Sequence, residues 1–544
     1  MTHQEWWRSA VIYQIYPRSF QDSNGDGIGD LQGILKRMDY LDALGIDAIW
    51  ISPFFKSPMK DFGYDVEEYC TIDPMFGTMA DFDQLLAAAK ARNIKVIIDQ
   101  VWGHTSDEHA WFLESKQSKN NDKADWYVWA DPKPDGTPPN NWLSYFGGSA
   151  WEWSAQRKQY YLHHYLAGQP ALNLHNVAVK EALLKTAKFW LDKGVNGFRL
   201  DAIFQTIADP QLRDNPVRPD NISLPVDVAA TNPITMQLRE YSSNHPDILA
   251  WLEDVRSLTE QYPNTVLLAE TGGDDPDLIA STYTQGGNRC HLAYSFSLLN
   301  TQFSAHYLHT TLIRIEEILK DGWFCFAFSN HDVARVNNRW RPSTTEPDAD
   351  FARLTMLLGL TIRGAYCLYQ GEELGLPEGD VPFEDFQDPY GIEYYPEFKG
   401  RDGCRTPFPW NSAAPQGGFT TAVKPWLPMM EKQVALAAQQ QETNEASVLH
   451  SFRDCLSWRK SQKAITTGSF QALPVQGNCL AYLRACETQT LLFVFNLGKE
   501  EAMYSTSGLI ESNLNLLTEA CQNIASAEQN IKLGKYGYGV FELS

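Results

Sequence analysis

VKEALLKTAKFWLDKGVNGFRLDA, residues 179–202, changes period in its middle. Up to Lys193 the apolar residues return at helical spacing, and Gly194 supplies a stop. GFRLD (197–201) then reads as a short buried strand, in which a period of two sends Arg199 and Asp201 to the same face. A helix feeding a strand that ends in a carboxylate is one unit of a βα repeat. The same kind of strand occurs in VIYQIYP (11–17), DAIWISP (47–53), KVIIDQV (95–101), TVLLAE (265–270), HLAYSF (291–296), WFCFAFSN (323–330) and AYCLYQGEE (365–373). Helical patterns such as LQGILKRMDYLDALG (31–45) and FDQLLAAAKARN (82–93) lie between them. Eight such strands with intervening helices predict an α/β protein built on a parallel (β/α)8 TIM barrel.

Two stretches break the rhythm. Residues 105–172 are rich in Trp, Tyr, Asn, Pro and Gly with little helical periodicity, which predicts a small domain inserted after the third strand. From about residue 463, FQALPV, CLAYLRA, TLLFVFNL and YGVFEL read as antiparallel strands. The expected division is therefore 1–104 with 173–462 for the barrel, 105–172 for the insertion and 463–544 for a C-terminal antiparallel β-sandwich domain.

The chain has 45 Lys and Arg against 67 Asp and Glu, a net charge of -22 that repels phosphate backbones and anionic headgroups. Nucleic acid and membrane are not expected partners. No run of about 18 apolar residues is long enough to span a bilayer. The first twenty residues lack a basic head followed by an apolar run, which reads as no signal peptide. Nine scattered cysteines without a CxxC pair fit a reducing cytoplasm. A monomer or small homo-oligomer is expected.

Catalytic groups of such barrels come from the C-terminal ends of strands. Four acids qualify: Asp99, Asp201, Glu270 and Asp332. Arg199 beside Asp201 would keep that carboxylate ionised, although an Arg-x-Asp alone is more often a structural ion pair. Glu270 follows an apolar run that limits hydration and raises its pKa, as a general acid requires; the bland alternative is a solvated strand-end glutamate. His104 and His331 follow the third and seventh runs. Carboxylates on separate strands, with histidines and an arginine but no metal triad or serine nucleophile, suit retaining glycoside hydrolysis.

These segments carry a resemblance. DQVWGH (99–104), GFRLDA (197–202), LLAET (267–271) and FSNHD (328–332) resemble the four ordered signature regions of the α-amylase superfamily, glycoside hydrolase family 13. GYD (63–65), QPALN (169–173), YQGEE (369–373) and GRDGCRTPFPW (400–410) extend it across nearly the whole chain, toward the α-glucosidase and oligo-1,6-glucosidase branch. The resemblance implies Asp201 as nucleophile, Glu270 as acid and then base, and Asp332 as a third carboxylate gripping sugar hydroxyls. It implies Arg199, His104 and His331 around the reacting glucose, Tyr64 stacking on the ring, and Asp99 in support. Asp61 and Arg401 would close the pocket around the non-reducing end, with Arg405 as the alternative to Arg401. The implied function is a retaining exo-acting α-glucosidase on short α-glucosides or oligosaccharides, with transglucosylation. An α-glucosyltransferase or sucrose-converting enzyme is the alternative, and a non-catalytic binding subunit a distant one.

The chain departs from the pattern at Gly103, where many members have Asn, at Ala171, where QPDLN has Asp, and at Thr271. Ala202 stands where α-1,6 relatives tend to carry Val and α-1,4 relatives Thr, which implies a relaxed linkage preference. ADPQLRDNPVRPD (208–220) is expected as a loop over the pocket, with a plain solvated loop as the alternative.

DSNGDGIGD (22–30) places Asp22, Asn24 and Asp26 at alternating positions, with the Ile28 carbonyl and Asp30 beyond them. The EF-hand's twelfth-position Glu is replaced by Gly33. Hard oxygen donors favour a structural Ca²⁺ or Mg²⁺; a polar glycine turn without an ion is the other reading.

Overall fold

The computed structural model describes residues 5–219, 228–344, 346–527 and 529–544. Eight parallel strands form the barrel sheet: β1 (Val11–Ile15), β2 (Ala48–Ile51), β3 (Lys95–Gln100), β4 (Gly197–Leu200), β5 (Val266–Thr271), β6 (Leu292–Ser295), β7 (Cys325–Ala327) and β8 (Ala365–Tyr369). Each pairs with the next in sequence, and β8 pairs back with β1. A parallel bridge between Ala293 and Phe324 closes the ring between β6 and β7. The seventh strand is shorter than its apolar run suggests, so Asp332 sits on the loop beyond it.

Period-two alternation sorts the strand residues between interior and exterior. Ile12, Ala48, Ile97, Leu268, Leu292, Cys325, Ala365 and Cys367 fill the barrel with a small apolar cluster. Val11, Tyr13, Ile49, Ile51, Val96, Ile98, Phe198 and Leu200 face outward into the larger core under the helices. At the C-terminal ends the interior turns polar: Gln14, Asp99, Arg199 and Glu270 follow the apolar positions two residues on, all buried.

The helix Val177–Lys193 that opened the sequence reading shows how a flanking helix is held. Asn176 caps it, its side chain accepting from the Ala178 N–H, and Gly194 ends it at φ 102°, where a Cβ is strained. Its buried stripe of Val179, Leu183, Ala187, Trp190 and Leu191 faces the sheet. Trp190 packs among Phe54, Phe55 and Phe82 with ring centroids 5.3–5.8 Å apart. Each such fully buried large side chain contributes about 2–3 kcal/mol.

Within 105–172 the chain forms a short helix, Ala110–Ser115, and a three-stranded antiparallel sheet of Trp129–Ala130, Gln159–Leu162 and Trp151–Ser154. Bridges from His104 to Ala171 and from Tyr127 to Leu172 tie its two ends together. Ala171 is buried among Ala130, Trp142, Trp151 and Leu162, so main-chain pairing and apolar packing hold the segment where the departure from QPDLN removed a carboxylate.

The C-terminal strands make one connected antiparallel sheet of seven, joined along Asn530–Leu543. Alternation again divides its faces: Leu480, Tyr482, Phe493, Phe495 and Tyr538 join the barrel core, while Cys479, Ala481, Leu492, Val494 and Phe541 form a separate core. Among the described residues, no helix is long and apolar enough to cross a membrane.

Candidate active site

A pocket opens over the C-terminal ends of the barrel strands, lined by Asp61, Tyr64, His104, Gln169, Asp201, Glu270, Asp332 and Arg401, with Tyr145, Phe146, Tyr165, Phe296 and Tyr390 as an aromatic wall. Seven of the predicted site residues meet there. Arg199 and His331 lie beneath it, fully buried, in contact with Asp201, Glu270 and Asp332 above them.

Arg199 organises the floor. Its Nη1 donates to Asp99 Oδ1 at 2.6 Å and Asp201 Oδ1 at 2.5 Å, and its Nη2 lies 2.7 Å from Glu270 Oε2. Period-two register on β4 directs its side chain inward, and the parallel pairing of Asp99 with Arg199 brings the β3 acid alongside. Asp201 follows directly at the strand end, its N–H donating to the Gln100 carbonyl. The Ala202 N–H, at φ 36°, donates to Glu270 Oε2 at 2.7 Å, so the residue after one carboxylate fixes the other. Tyr294 donates to Glu270 Oε1 at 3.2 Å.

Burial pushes Asp201 up to about 7, against the pull of Arg199. It also raises Glu270 to about 7, again with Arg199 opposing. Asp99 is raised to about 6 by burial. Asp332 goes the other way: burial opposes ionisation, but the Arg405 and Arg401 guanidiniums, with the His331 imidazole beside them, hold it well below the usual carboxylate range. Neutral pH therefore finds Asp332 ionised and the Asp201–Glu270 pair poised to hold a proton between them.

The far end is closed by charge. Arg401 Nη2 donates to Asp61 Oδ1 at 2.8 Å and to Asp388 Oδ1 at 2.7 Å. Arg405 is wholly buried, donating to Asp332 Oδ1 at 2.9 Å and to the His331 carbonyl at 2.7 Å. Arg401 is thus the pocket residue and Arg405 the brace behind Asp332. Asp61 is held in place by its loop: the buried Asp65 carboxylate accepts from the Asp61 N–H, the Lys60 N–H and Ser57 Oγ. His104 Nε2 meets the Tyr64 carbonyl at 2.8 Å, and Gln169 Nε2 donates to Asp61 Oδ2 at 3.0 Å.

Arg401→Ala is expected to raise KM for a ligand seated against this closed end on the order of 10²-fold with a smaller fall in kcat, because the pocket wall loses its buried cation there. Steady-state kinetics check it. A thermal melt should fall as well, since Asp61 and Asp388 are left buried without their cation.

Sequence reasoning missed Tyr145, Phe146, Tyr165, Phe296, Tyr390, Asp388 and Gln169 as site residues. Tyr145, Phe146 and Tyr165 stand in loops without periodicity, and Phe296 and Tyr390 in helices of one or two turns, Phe296–Leu298 and Pro389–Tyr394, too short to show it; only QPALN signalled Gln169. The expectation for 208–220 is corrected for its described part. None of 208–219 lines the pocket; the segment docks on the insertion, with Asn140 Nδ2 donating to the Leu212 carbonyl and Trp142 Nε1 to the Arg213 carbonyl. Its backbone groups find partners there, which a loop arching over a pocket would lack. Asp220 lies outside the described residues.

In the loop 22–30 the four polar side chains are near one another but already engaged, Asp22 also accepting from Thr420 Oγ1 outside the loop. Asp22 accepts from the N–H groups of Asn24, Gly25 and Gly27, Asp26 from Ile28, and Asp30 from Ser23 and Gly33. Among the described residues, no group of three or more His, Cys, Asp or Glu side chains is arranged to hold a metal ion.

The family model described as Alpha amylase, catalytic domain, matches residues 14–468. The chain belongs to the α-amylase family. Its relatives in that family include a probable alpha-glucosidase of Rhizobium meliloti (strain 1021), 49% identical over 92% of this chain and 90% of the relative. An oligo-1,6-glucosidase of Heyndrickxia coagulans is 38% identical over 92% of this chain and 93% of the relative. Among solved structures, an alpha-glucosyl transfer enzyme superposes with TM-score 0.96 at 47% identity, covering 99% of each chain. The trehalulose synthase MutB from Pseudomonas mesoacidophila MX-45 does so with TM-score 0.87 at 31% identity, also over 99% of each. With that catalytic domain and these α-glucosidase relatives, the protein is a glycoside hydrolase.

Proposed function

We propose that the protein is a retaining, exo-acting α-glucosidase that removes terminal glucose from short α-glucosides, with Asp201 as nucleophile, Glu270 as acid then base, and Asp332 gripping the sugar's hydroxyls. The closed end of the pocket carries this reading: Arg401, Asp61 and Asp388 wall off the space beyond Asp332, which suits one terminal sugar and excludes a continuing chain. Asp201 attacks the anomeric carbon while Glu270 protonates the departing oxygen; Glu270 then takes a proton from the incoming hydroxyl as the glucosyl–Asp201 ester breaks. One guanidinium and the Ala202 N–H keep the two carboxyls together, as double displacement needs and an interposed water would not allow. With Glu270 protonated, Asp99, Asp201, Asp332, Asp61 and Asp388 are paired among the described residues with the three guanidiniums of Arg199, Arg401 and Arg405, and this surplus of negative charge favours an oxocarbenium-like transition state.

A second reading, glucosyl transfer to an acceptor, is favoured by the wall of Phe146, Tyr165, Phe296 and Tyr390, a rim on which an acceptor stacks while water is displaced. Phe146 and Tyr390 stack with centroids 5.0 Å apart. Time-resolved products from maltose, isomaltose and sucrose at low and high acceptor concentration separate the two. Glucose without transfer product at all acceptor levels, accompanied by fructose from sucrose, supports hydrolysis, rising transfer product supports the second reading, and failure to cleave any of the three refutes both. The same panel on Ala202→Thr and Ala202→Val tests whether the small residue sets linkage preference.

We also propose a structural Ca²⁺ or Mg²⁺ on Asp22, Asn24, Asp26, the Ile28 carbonyl and Asp30, supported by the hard-oxygen donor set of the loop. Because those oxygens also accept loop N–H groups, the ion competes with internal hydrogen bonds and its contribution is modest. Chelation is expected to lower the melting temperature by about 1 °C, the effect of roughly 1 kcal/mol on a chain of this length. An unchanged melt with no bound metal by elemental analysis leaves a bare turn. A cytoplasmic location is proposed on the nine cysteines, all of them free thiols.

A further inference from the structure

The first strand sends one polar side chain into the barrel, Gln14, and it ends against the imidazole of the site. Gln14 is wholly buried, its Nε2 2.7 Å from His331 Nδ1 and 3.3 Å from Ser52 Oγ. On the other side of the ring, His331 Nε2 lies 3.2 Å from Asp332 Oδ2 and 2.5 Å from the Tyr64 hydroxyl. Tyr64 in turn donates to Asp99 Oδ2 at 3.3 Å, the oxygen that also accepts from Trp50 Nε1 at 2.9 Å.

We propose that Gln14 is a positioning residue that holds His331 as the neutral tautomer protonated on Nε2, so that the ring donates toward Asp332 and Tyr64.

Three observations converge on it. First, Asp332 lies 2.9 Å from the Arg405 guanidinium and 3.4 Å from that of Arg401, which keep it ionised whatever the charge of the ring, so it offers only lone pairs and a bare Nε2 at 3.2 Å would set two acceptors face to face. The proton therefore sits on Nε2. Second, the groups around His331 disfavour a second proton. Burial dominates, Arg405, Arg199 and Arg401 add to it, and Asp332 alone opposes. Tyr16 and Tyr64 stack on the ring and Trp50 meets it edge-on, leaving no room for water to solvate a cation. Nδ1 is then a bare acceptor and needs a donor. Third, the only amide at Nδ1 is that of Gln14. The orientation that donates Nε2–H leaves its Oε1 without a partner, so a buried acceptor stays unsatisfied. The opposite orientation would present Oε1 to Nδ1 and demand a proton there, stripping Nε2 of its own. The unsatisfied oxygen is the cost of selecting the tautomer, of the order of one lost hydrogen bond.

With this assignment every donor along the path has one direction: Gln14 to His331, His331 to Asp332 and Tyr64, Tyr64 to Asp99, whose other oxygen accepts from Arg199. A change at Gln14 therefore reaches the pocket without touching substrate. The activity consequences rest on the proposed roles of Asp332 and Asp201; the tautomer does not, and the two are measured separately.

The test uses the full chain with ¹⁵N-histidine labelling and no substrate. The resting enzyme should show His331 with a protonated Nε2 and a bare Nδ1, assigned by loss of the signal in His331→Gln. A bare Nε2, or an imidazolium at pH 7, overturns the proposal whatever the kinetics show. Gln14→Glu keeps the shape but replaces the donor by an acceptor; it should move the proton to Nδ1 or charge the ring, and lower kcat/KM by about 10²-fold or more with a shifted pH profile. Gln14→Met keeps the volume without donor or acceptor and should lower kcat/KM by about tenfold with a mixed tautomer signal. If both variants fold and keep the parental imidazole signals and pH profile, Gln14 is only packing and the proposal fails. Loss of the assigned tautomer without loss of activity would retain the wiring and sink the role of His331 in the reaction.

Discussion

Asp201→Asn is expected to lose on the order of 10⁵-fold in kcat, about 7 kcal/mol of transition-state stabilisation. The size follows from what the substitution removes: the carboxylate proposed to attack, which follows its barrel strand directly, lines the pocket and accepts from Arg199 at 2.5 Å. An amide in the same volume can still accept from Arg199 through its oxygen, so the framework remains while the attacking electron pair is gone. The fold should not suffer. Burial raises Asp201 to about 7 in the folded chain, from an ordinary value near 3.8, so its contribution favours the fold at low pH and is lost as pH rises through about 7. At pH 8 the Asn variant is expected to melt no lower than the parent. Turnover on an α-glucoside and a melt at pH 8 check both halves, and parental turnover in a folded variant would sink the assignment of the nucleophile.

Glu270→Gln is expected to separate the two half-reactions. With a natural sugar leaving group, which needs protonation, kcat/KM should fall by about 10³- to 10⁴-fold. With 4-nitrophenol as leaving group the first step needs little acid, so a burst of nitrophenol should precede a slow steady state as glucosyl enzyme accumulates. The pH profile gives an independent reading. Burial lifts Glu270 to about 7 with Arg199 pulling back, so the parental acid is protonated below that value and lost above it. The acidic limb belongs to protonation of Asp201, raised to the same region. The parent should give a bell near neutrality, and the Gln variant should lose the alkaline limb while keeping the acidic one. An alkaline limb that persists in the variant would place the acid elsewhere.

The pattern of what was legible follows from range along the chain. The eight strands were readable because burial on both faces leaves a local mark, a short apolar run between a helix stop and the next helix start. Asp99, Asp201 and Glu270 were readable because each occupies the last turns of such a run. Asp332 was found by its motif, although its strand proved to be only Cys325–Ala327. The loop 208–219 was misplaced because a polar, proline-bearing segment says that it is exposed and nothing about which surface it meets; Asn140 and Trp142, some seventy residues earlier, decided that. The aromatic wall was hidden for a similar reason. Tyr145 and Tyr165 stack at 5.4 Å across twenty residues of the insertion, and Phe146 meets Tyr390 from the far end of the barrel. A ring in an aperiodic loop carries no sign of whether it packs in a core or faces a ligand.

Local periodicity and strand-end chemistry by themselves determined the barrel, the family resemblance and the three acids, because hydrophobic alternation and a terminal carboxylate are properties of a few consecutive residues. Only the closed barrel decided how those acids are charged, which of Arg401 and Arg405 seals the pocket, and that Gln14 meets His331 more than three hundred residues away. Those outcomes depend on burial and on distances of a few ångströms between segments remote in the chain, and both come into existence only when the ring of strands closes.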